Sequence, residues 1–375
     1  MYSLLSILAA KRYLAVRPSE LRASEPISVL KPLAGLDAGL ESHLRTFFEQ
    51  DYPAFEILFA VREGDDPAVA VIEKLQREYP RIDSRLIVTG ESPYPNAKVY
   101  SLDRMLRQAS HGLIVMSDSD TSVRPDLLRT LAAEFQNQKL GIATCPYRAM
   151  GGDGWMSRLE AAGLNTDFLA GILVARMIEG MQFAIGPTIA ARRGALEAIG
   201  GFGRLKDYLA EDFMLGRLVS EAGLDVILSC YVIEHHIDHH IGGDDWRKSA
   251  AHRLRWARST RRSRPLGYVG QLFTMTLPLS LLVIAAHPSW WPAASAALAI
   301  RYAAAWTVSA GVARARVNWT LLPLEDALAF AFWIAGFFGN TIEWRGRRYM
   351  VHTDGRFEAL ASNPAGKPIV IQGEP

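Results

Sequence analysis

The segment LIVMSDSD, residues 113–120, decides the fold because four apolar residues run directly into a pair of aspartates. A short apolar run of this kind predicts a buried strand. Asp118 and Asp120 would then stand at the carboxyl end of that strand, the edge where open parallel sheets bind ligands. An acidic pair there needs a cation or hydrogen-bond donors, and carboxylate oxygens suit Mg²⁺ or Mn²⁺. A solvated acidic turn or a helix N-cap is the alternative for so short a motif.

Similar apolar runs alternate with helical patterns on both sides of this segment. The alternation is typical of strand-helix-strand units in a mainly parallel sheet, so we expect an α/β domain over residues 26–264. The other predicted strands cover residues 27–30, 56–61, 85–88 and 141–145, and the predicted helices cover residues 40–50, 67–78, 99–109 and 125–136.

Apolar segments follow this domain, within residues 265–345. Residues 266–286 hold no charge over 21 positions, which is close to the ~20 residues that cross a bilayer. Residues 290–313 are interrupted by Arg301 alone, and residues 327–341 form a third run of 15 residues. The first two predict transmembrane helices, and the third a short span, a re-entrant segment or an interfacial helix. Buried core helices of a soluble protein are the alternative.

The basic residues predict an orientation. They flank the first two runs, whereas the turn between these runs has no Lys or Arg, so both flanks and the α/β domain should be cytoplasmic. Residues 1–10 are apolar but too short to cross a bilayer, and we expect residues 1–25 to be a membrane-proximal segment, with 346–375 as a tail. The flanking residues are Arg258, Arg261, Arg262, Arg264, Arg314 and Arg316.

Composition excludes other classes of protein. Lys and Arg total 41 against 39 Asp and Glu, and a net charge of +2 argues against a nucleic-acid partner bound over the whole surface. Cys145 and Cys230 are too few for a disulfide framework or a thiolate zinc site and should be buried thiols.

Two polar motifs follow the second and third predicted strands. Asp65 and Asp66 precede a helix, where one carboxylate can cap the helix and its neighbour can accept a ligand N–H. Lys98, which follows Pro95 and Asn96 at the start of another helix, could pair with a phosphate; a surface lysine is the alternative.

Glu211 and Asp212 open a further helical pattern. A carboxylate at the start of a helix stays ionised near the backbone donors and can take a proton. Simple N-capping is the other interpretation of Asp212.

An arginine-rich helix is predicted next to the first apolar run, within residues 249–264. Its Arg255 and Trp256 join a permanent cation to a flat aromatic ring, which suits a diphosphate beside a sugar or base. Such a helix can also rest on anionic headgroups, with Arg258, Arg261 and Arg262 facing lipid.

Residues 234–240 concentrate four of the nine histidines. Alternate residues of a strand share a face, so His236 and Asp238 could meet a cation. Placement at the membrane interface or on the acceptor side is the favoured alternative, because the spacing is not that of a zinc site.

In this order, the motifs resemble those of inverting glycosyltransferases of families 2 and 21, which have the GT-A (nucleotide-diphospho-sugar transferase) fold. More narrowly, the chain resembles the ceramide glucosyltransferase-like enzymes and their bacterial relatives, including those of hopanoid biosynthesis. The resemblance covers residues 27–351. Its further motifs are Lys31-Pro32, Gln50-Asp51-Tyr52-Pro53 and the closing segment WRGRRY, residues 344–349.

The resemblance implies a role for each matching residue. Asp66 would contact the nucleotide, Asp118 and Asp120 the metal and the donor sugar, and Asp212 would be the catalytic base. His252, Arg255 and Trp256 match the (Q/R)-x-x-R-W motif, with histidine at its first position. The remaining donor-binding residues would be Pro32, Asp65 and Lys98.

It also implies a reaction and partners. UDP-glucose would donate glucose to a ceramide hydroxyl with Mg²⁺ or Mn²⁺ as cofactor, residues 155–182 would face the acceptor, and no nucleic acid would take part. The enzyme would be integral to a bacterial inner membrane, with its catalytic domain on the cytoplasmic side. The alternatives are transfer from UDP-N-acetylglucosamine or another UDP-hexose to a hopanoid or other glycerol or polycyclic lipid, and a non-catalytic membrane protein that binds nucleotide sugar or lipid.

Overall fold

Fourteen strands and fourteen α-helices are seen in a computed structural model that describes residues 1–237, 245–344, 347–361 and 369–370. The strands are β1 (Ile27–Pro32), β2 (Phe55–Val61), β3 (Asp83–Val88), β4 (Leu113–Ser117), β5 (Thr121–Ser122), β6 (Leu140–Thr144), β7 (Tyr147–Met150), β8 (Thr188–Arg192), β9 (Asp225–Leu228), β10 (Ile233–His236), β11 (Thr341–Trp344), β12 (Arg347–Val351), β13 (Phe357–Ala361) and β14 (Ile369–Val370). The helices are α1 (Tyr2–Leu14), α2 (Leu40–Phe48), α3 (Ala68–Glu78), α4 (Ala97–Leu106), α5 (Leu127–Glu134), α6 (Trp155–Gly163), α7 (Leu169–Glu179), α8 (Arg193–Ala198), α9 (Glu211–Glu221), α10 (Trp246–Ser263), α11 (Pro265–Gly270), α12 (Thr276–Ala286), α13 (Trp291–Trp306) and α14 (Leu322–Ala335).

The central sheet has the order β3-β2-β1-β4-β8-β6-β9. β8 runs antiparallel to both of its neighbours, and the other pairs are parallel. The prediction of a mainly parallel α/β sheet is therefore confirmed, and its predicted strands and helices lie within a few residues of those observed.

Helices cover both faces of this sheet, which explains why its inner strands are continuous apolar runs. In β1, Val29 points to a cluster that includes α2, α3 and α5, and Leu30 points to a cluster on the other face that includes α4 and α8. Both side chains are fully buried. The carboxyl ends of β1 and β4 consequently stand side by side at one edge.

A small second sheet, ordered β5-β10-β7, lies beside that edge. β10 pairs antiparallel with β5 and parallel with β7, so His235 lies opposite Thr121. The chain after residue 230 is thereby brought next to the turn that follows β4.

Apolar helices partly follow the predicted spans. Within the described residues, two are long and apolar enough to cross a membrane: Pro288–Ala313, which matches the second predicted span, and Trp155–Glu179, which does not match one. The first predicted span consists of Pro265–Thr274 and Thr276–Ala286, which meet at a 61° bend. The third run overlaps the second half of α14, a helix of 14 residues. The apolar helix α1 packs against α7 and α13.

The C-terminal strands form a sheet where a tail is expected. β11 and β12 lie on either side of the expected boundary between residues 345 and 346, and they pair antiparallel. Their buried side chains surround Leu209 in a small apolar cluster of Ile342, Tyr349, Val351 and Phe357. Strands β11, β12 and β13 therefore pack against Leu209 of the α/β domain.

Two arginines of α10 do not have the lipid-facing role expected of them. Arg258 donates to the carbonyls of Phe338 and Thr341, and Arg261 donates to those of Phe337 and Gly339. The end of α14 and the following loop leave carbonyls without helical partners, and these guanidinium groups satisfy them. Of the cysteines, Cys145 is buried as expected and Cys230 is half-buried.

Candidate active site

Asp118 and Asp120 follow β4 in a tight turn, as the sequence predicts. The Asp118 N–H donates to the Pro187 carbonyl over 2.9 Å, and the Thr121 hydroxyl donates to the Asp118 carbonyl over 2.8 Å. The Asp118 side chain is half-buried and that of Asp120 is buried. Both carboxylates therefore sit on a backbone that is fixed by hydrogen bonds.

Lys31, near the end of β1, lies beneath this turn. Its side chain is fully buried, and its Nζ donates to the Asp118 carbonyl and lies 3.2 Å from Thr121 Oγ1. Burial lowers the pKa of Lys31 to about 7, and the carboxylates of Asp118 and Asp120 oppose that change.

Lys98, in the first turn of α4, faces the Asp118 carboxylate. Its Nζ lies 2.7 Å from Asp118 Oδ1 and 3.1 Å from Glu211 Oε1. Burial lowers the pKa of the Lys98 ammonium, but these carboxylates raise it by more, so it stays protonated. Lys98, predicted to pair with a phosphate, here pairs with two acids.

Asn96 connects the helix that carries Lys98 to the segment that carries Glu211. Its Oδ1 accepts from the N–H groups of Lys98 and Val99, which caps α4. Its Nδ2 donates to the Tyr208 carbonyl over 3.0 Å and to Glu211 Oε2 over 3.3 Å. One fully buried amide therefore sets the distance between the two motifs.

Asp212 is the second residue of α9, and its Oδ1 accepts from the Phe213 N–H over 2.8 Å. A Cβ atom on Gly186 would stand 2.8 Å from Asp212 Oδ2, so a larger residue there would collide with the carboxylate. Burial and the neighbouring Glu211 raise the pKa of Asp212 to about 7, against the opposing charge of Lys98. A carboxylate with that pKa is suited to proton transfer near neutral pH.

One cleft unites several of the predicted residues. Its lining includes Pro32, Lys98, Asp118, Glu211 and Asp212, together with apolar side chains from the sheet, from α4 and α9 and from the segment between α8 and α9. Asp212, the base that the resemblance implies, thus lies in one cleft with Lys98 and with Asp118, the first aspartate of the D-x-D motif (Asp118-Ser119-Asp120).

Asp120 faces the small sheet. Its Oδ2 lies 3.2 Å from His235 Nε2, and the His235 ring makes an edge contact with Tyr147, at 5.1 Å between ring centroids. Burial raises the pKa of Tyr147, and Asp212, Glu160 and Asp120 add to that effect. The acids that act on Tyr147 therefore come from three different segments of the chain.

The Asp66 carboxylate accepts hydrogen bonds from two backbone N–H groups. Its Oδ1 accepts from the Ala68 N–H over 2.9 Å, and its Oδ2 accepts from the Gly35 N–H over 3.0 Å. It caps α3, as one of the two interpretations expected, and it also holds the loop after β1. Asp65 is exposed beside it.

The motif at residues 252–256 lies in the middle of α10. His252 Nδ1 lies 2.8 Å from Glu160 Oε1, and Arg253 forms a two-pronged ion pair with Glu325, with both distances 2.8 Å. Arg255 is half-buried, and Trp256 is exposed.

Trp256 reaches the D-x-D motif through successive ring contacts. Its ring centroid lies 5.5 Å from that of Phe168, and the Phe168 centroid lies 5.4 Å from that of Tyr147. The Tyr147 ring in turn contacts the His235 ring. Among the described residues that line the cleft, neither Arg255 nor Trp256 appears. The structure thus joins this motif to Asp120 indirectly.

The histidine segment is described as far as Ile237. His236 Nε2 lies 2.9 Å from Ser122 Oγ, and its ring stacks on His43 at 4.1 Å. The adjacent His235, on the other face of β10, contacts Asp120. Asp238, His239 and His240 lie outside the described residues, as do Arg345 and Gly346 of the closing segment.

The donor chemistry at the turn fits a hard divalent cation. Asp118 and Asp120 offer carboxylate oxygens, the ligands that Mg²⁺ and Mn²⁺ prefer. No group of three or more potential metal-ligating side chains occurs in the part of the chain that the structure describes. Diphosphate oxygens and water would have to complete the coordination shell.

Sequence reasoning assigned no role in the site to Lys31, Asn96, His235 or Glu160. Lys31 and Asn96 belong to motifs that the sequence shows, Lys31-Pro32 and Pro95-Asn96-Ala97-Lys98, and a lysine inside an apolar strand run is a usable signal. The contacts of His235 and Glu160 depend on pairings between distant segments, which no local pattern shows.

The comparisons with known proteins identify the family. The family described as glycosyl transferase family 21 matches residues 1–357, and the chain belongs to it. It is similar to Ceramide glucosyltransferase 1 of Caenorhabditis elegans, with 27% identity over 207 residues, 55% of this chain and 44% of that protein. For Ceramide glucosyltransferase 3 of the same organism the identity is 28% over 206 residues, 55% and 45% of the two chains. The match thus spans less than half the length of these relatives.

A solved structure shows the same fold. The mannosyltransferase PcManGT from Pyrobaculum calidifontis, in complex with GDP-Man and Mn²⁺, superposes with a TM-score of 0.55 at 19% identity, over 90% of this chain and 93% of that chain. The chain therefore has the GT-A fold expected from its motifs.

Proposed function

We propose that the chain is an inverting glycosyltransferase that transfers glucose from UDP-glucose to a hydroxyl group of ceramide. The observation that carries this proposal is the convergence of Lys98, Asp118 and Asp212 in one cleft beside Pro32. Membership of family 21 and the names of the two nematode relatives support the choice of donor and acceptor.

Asp212 acts as the general base. As the acceptor oxygen attacks the anomeric carbon, Asp212 takes the hydroxyl proton, and the bond from that carbon to the diphosphate oxygen breaks. The electron pair leaves with UDP, and a single displacement inverts the anomeric configuration. The pKa of about 7 lets Asp212 be ionised before the step and hold the proton after it.

Charge on the departing diphosphate would be balanced by groups around Asp118 in the same cleft. Asp118 and Asp120 would hold a divalent cation, which supplies neutralisation of the diphosphate charge when it is bound. Lys98, whose ammonium lies in the cleft beside Asp118, would donate to a phosphate oxygen. Asp65, Asp66, Arg255 and Trp256 are proposed to contribute to donor binding, and His252 to orient Trp256, whose ring centroid is 5.7 Å away.

We further propose that the chain is integral to the membrane, with the cleft on the cytoplasmic side. Pro288–Ala313 and the bent pair Pro265–Thr274 and Thr276–Ala286 supply apolar helices directly after the catalytic domain. Paired tryptophans at 290 and 291 are exposed at the start of one of them, as interfacial anchors are. A lipid hydroxyl could then reach Asp212 from the bilayer.

A transfer assay with a panel of substrates tests the proposal. Purified chain in lipid nanodiscs is incubated with Mn²⁺ or Mg²⁺, with UDP-glucose, UDP-galactose or UDP-N-acetylglucosamine, and with ceramide, diacylglycerol or a hopanoid. We expect glucosylceramide with inverted configuration by mass spectrometry and NMR. Product on another lipid, or with another sugar, would replace the proposed acceptor or donor, and the absence of product from every pair would favour a binding protein.

A further inference from the structure

We propose that Lys31 is a positioning residue that fixes the turn carrying Asp118 and Asp120 for cation and diphosphate binding. This role rests on the function proposed above, because it assumes that the two aspartates hold a cation. It adds to the site a buried residue of β1 that lies beneath the turn.

The position of Lys31 follows from strand register. In the parallel pair of β1 and β4, Leu30 lies opposite Met116, so the next residue of each strand is Lys31 and Ser117. The Lys31 amine extends past the end of β4 into the turn. Its Nζ contacts the Asp118 carbonyl, Thr121 Oγ1 at 3.2 Å and Ser117 Oγ at 3.4 Å.

These contacts surround one amine with three acceptors from a single turn of five residues. The remaining side of the amine faces the Phe47 ring, 3.9 Å from its centroid. A fully buried lysine is costly unless its donors are paired. Every acceptor named here belongs to the stretch 117–121, so the pairing is directed at the D-x-D turn.

Asp118 is consequently held from two directions. Its carbonyl accepts from Lys31 beneath the turn, and its Oδ1 lies 2.7 Å from the Lys98 ammonium in the cleft. With the backbone oxygen held inward, the carboxylate projects into the cleft. Asp120, two residues later, is placed by the same turn with its Oδ2 3.2 Å from His235.

A purely structural role is distinguishable from a positioning role. Lys31→Met leaves the three acceptors of the turn without this donor, so a lower melting temperature is expected from either role. Only a positioning role also weakens the binding of a cation by the protein that remains folded. Loss of an outer contact to a metal ligand usually weakens metal binding about 10- to 100-fold.

The experiment measures Mn²⁺ affinity of the full chain in the presence of UDP, by electron paramagnetic resonance, with the melting temperature recorded for each variant. We expect Lys31→Met to weaken Mn²⁺ binding at least about 10-fold at a temperature at which the variant is folded. Lys139→Met, at an exposed lysine away from the turn, is the matched control and should bind as the wild type does.

Lys31→Gln keeps a donor at the end of a shorter chain and provides a second variant if Lys31→Met fails to fold. It should bind Mn²⁺ more tightly than Lys31→Met or Lys31→Ala. Wild-type affinity in a folded Lys31→Met or Lys31→Ala variant would overturn the positioning role. Failure of the wild-type chain itself to bind Mn²⁺ with UDP would overturn the proposed metal site, and this role with it.

Discussion

Lys98 Nζ lies 2.7 Å from Asp118 Oδ1, so the lysine of one motif neutralises the first aspartate of another before any ligand is bound. The same ammonium lies 3.1 Å from Glu211 Oε1, next to the proposed base. The positive charge of Lys98 is therefore expected to affect both the binding of the leaving group and the pKa of Asp212.

Lys98→Met should raise the pH at which the enzyme becomes active. The positive charge of Lys98 lowers the pKa of Asp212, and without it the carboxylate holds its proton to higher pH. Because the base works only when deprotonated, the acid limb of the kcat/KM profile should move upward. We also expect weaker UDP binding and at least about a 10-fold loss of activity at pH 7, as for loss of a charge-assisted hydrogen bond. An unshifted acid limb would contradict this coupling.

Glu211→Gln should shift the same limb the other way. Glu211 raises the pKa of Asp212 by charge repulsion, so its removal should lower that pKa from about 7. Activity should then persist to lower pH than in the wild-type enzyme, whose kcat/KM should fall below about pH 7. A pH-rate profile of both proteins under one ionic strength measures this. A shift toward higher pH would show that the loss of the Lys98 pairing dominates.

The C-terminal sheet should matter for catalysis as well as for folding. Phe357 packs on Leu209, and its N–H donates to the Asp207 carbonyl over 2.8 Å, a few residues before Asp212. Phe357→Ala should destabilise the protein by up to about 3–5 kcal/mol. In the folded fraction it should lower kcat more than UDP affinity, because Asp207 lies in the segment leading to the base.

Phe338→Ala is the control for that experiment, since this side chain is 69% exposed. It should change neither stability nor kcat appreciably. If Phe357→Ala lowered the melting temperature but left the kcat of the folded protein at the wild-type value, the sheet would have a stabilising role alone.

The sequence allowed the placement of several cleft residues to be predicted because its motifs are local. Asp118 and Asp120 follow an apolar strand, and Asp212 lies at the start of an amphipathic helix. The spacing of the apolar residues predicts both elements, and with them where each aspartate lies. Pro32 and Lys98 were placed at strand or helix ends in the same way, and the structure brings both to the cleft.

What could not be predicted depends on contacts between distant segments. Trp155–Glu179 was not predicted as a long apolar helix because charges interrupt its pattern, at Arg158, Glu160, Asp167 and Arg176. Two of these charges are paired in the folded chain, Asp167 with Arg301 and Glu160 with Arg253.

The partners of the arginines in α10 could not be predicted for the same reason. Arg258 and Arg261 have the spacing of a lipid-facing stripe, and their carbonyl partners lie about 80 residues further along the chain.

Asp212→Asn is the substitution that tests the central claim most directly. It keeps the size of the side chain and removes its ability to take a proton, so transfer of glucose to ceramide should fall at least about 10²- to 10⁴-fold. UDP-glucose affinity, measured on the same preparation by calorimetry, should stay within a few-fold of the wild-type value, and Asp225→Asn, at an exposed residue, should have full activity. Transfer by Asp212→Asn at the wild-type rate would contradict the account.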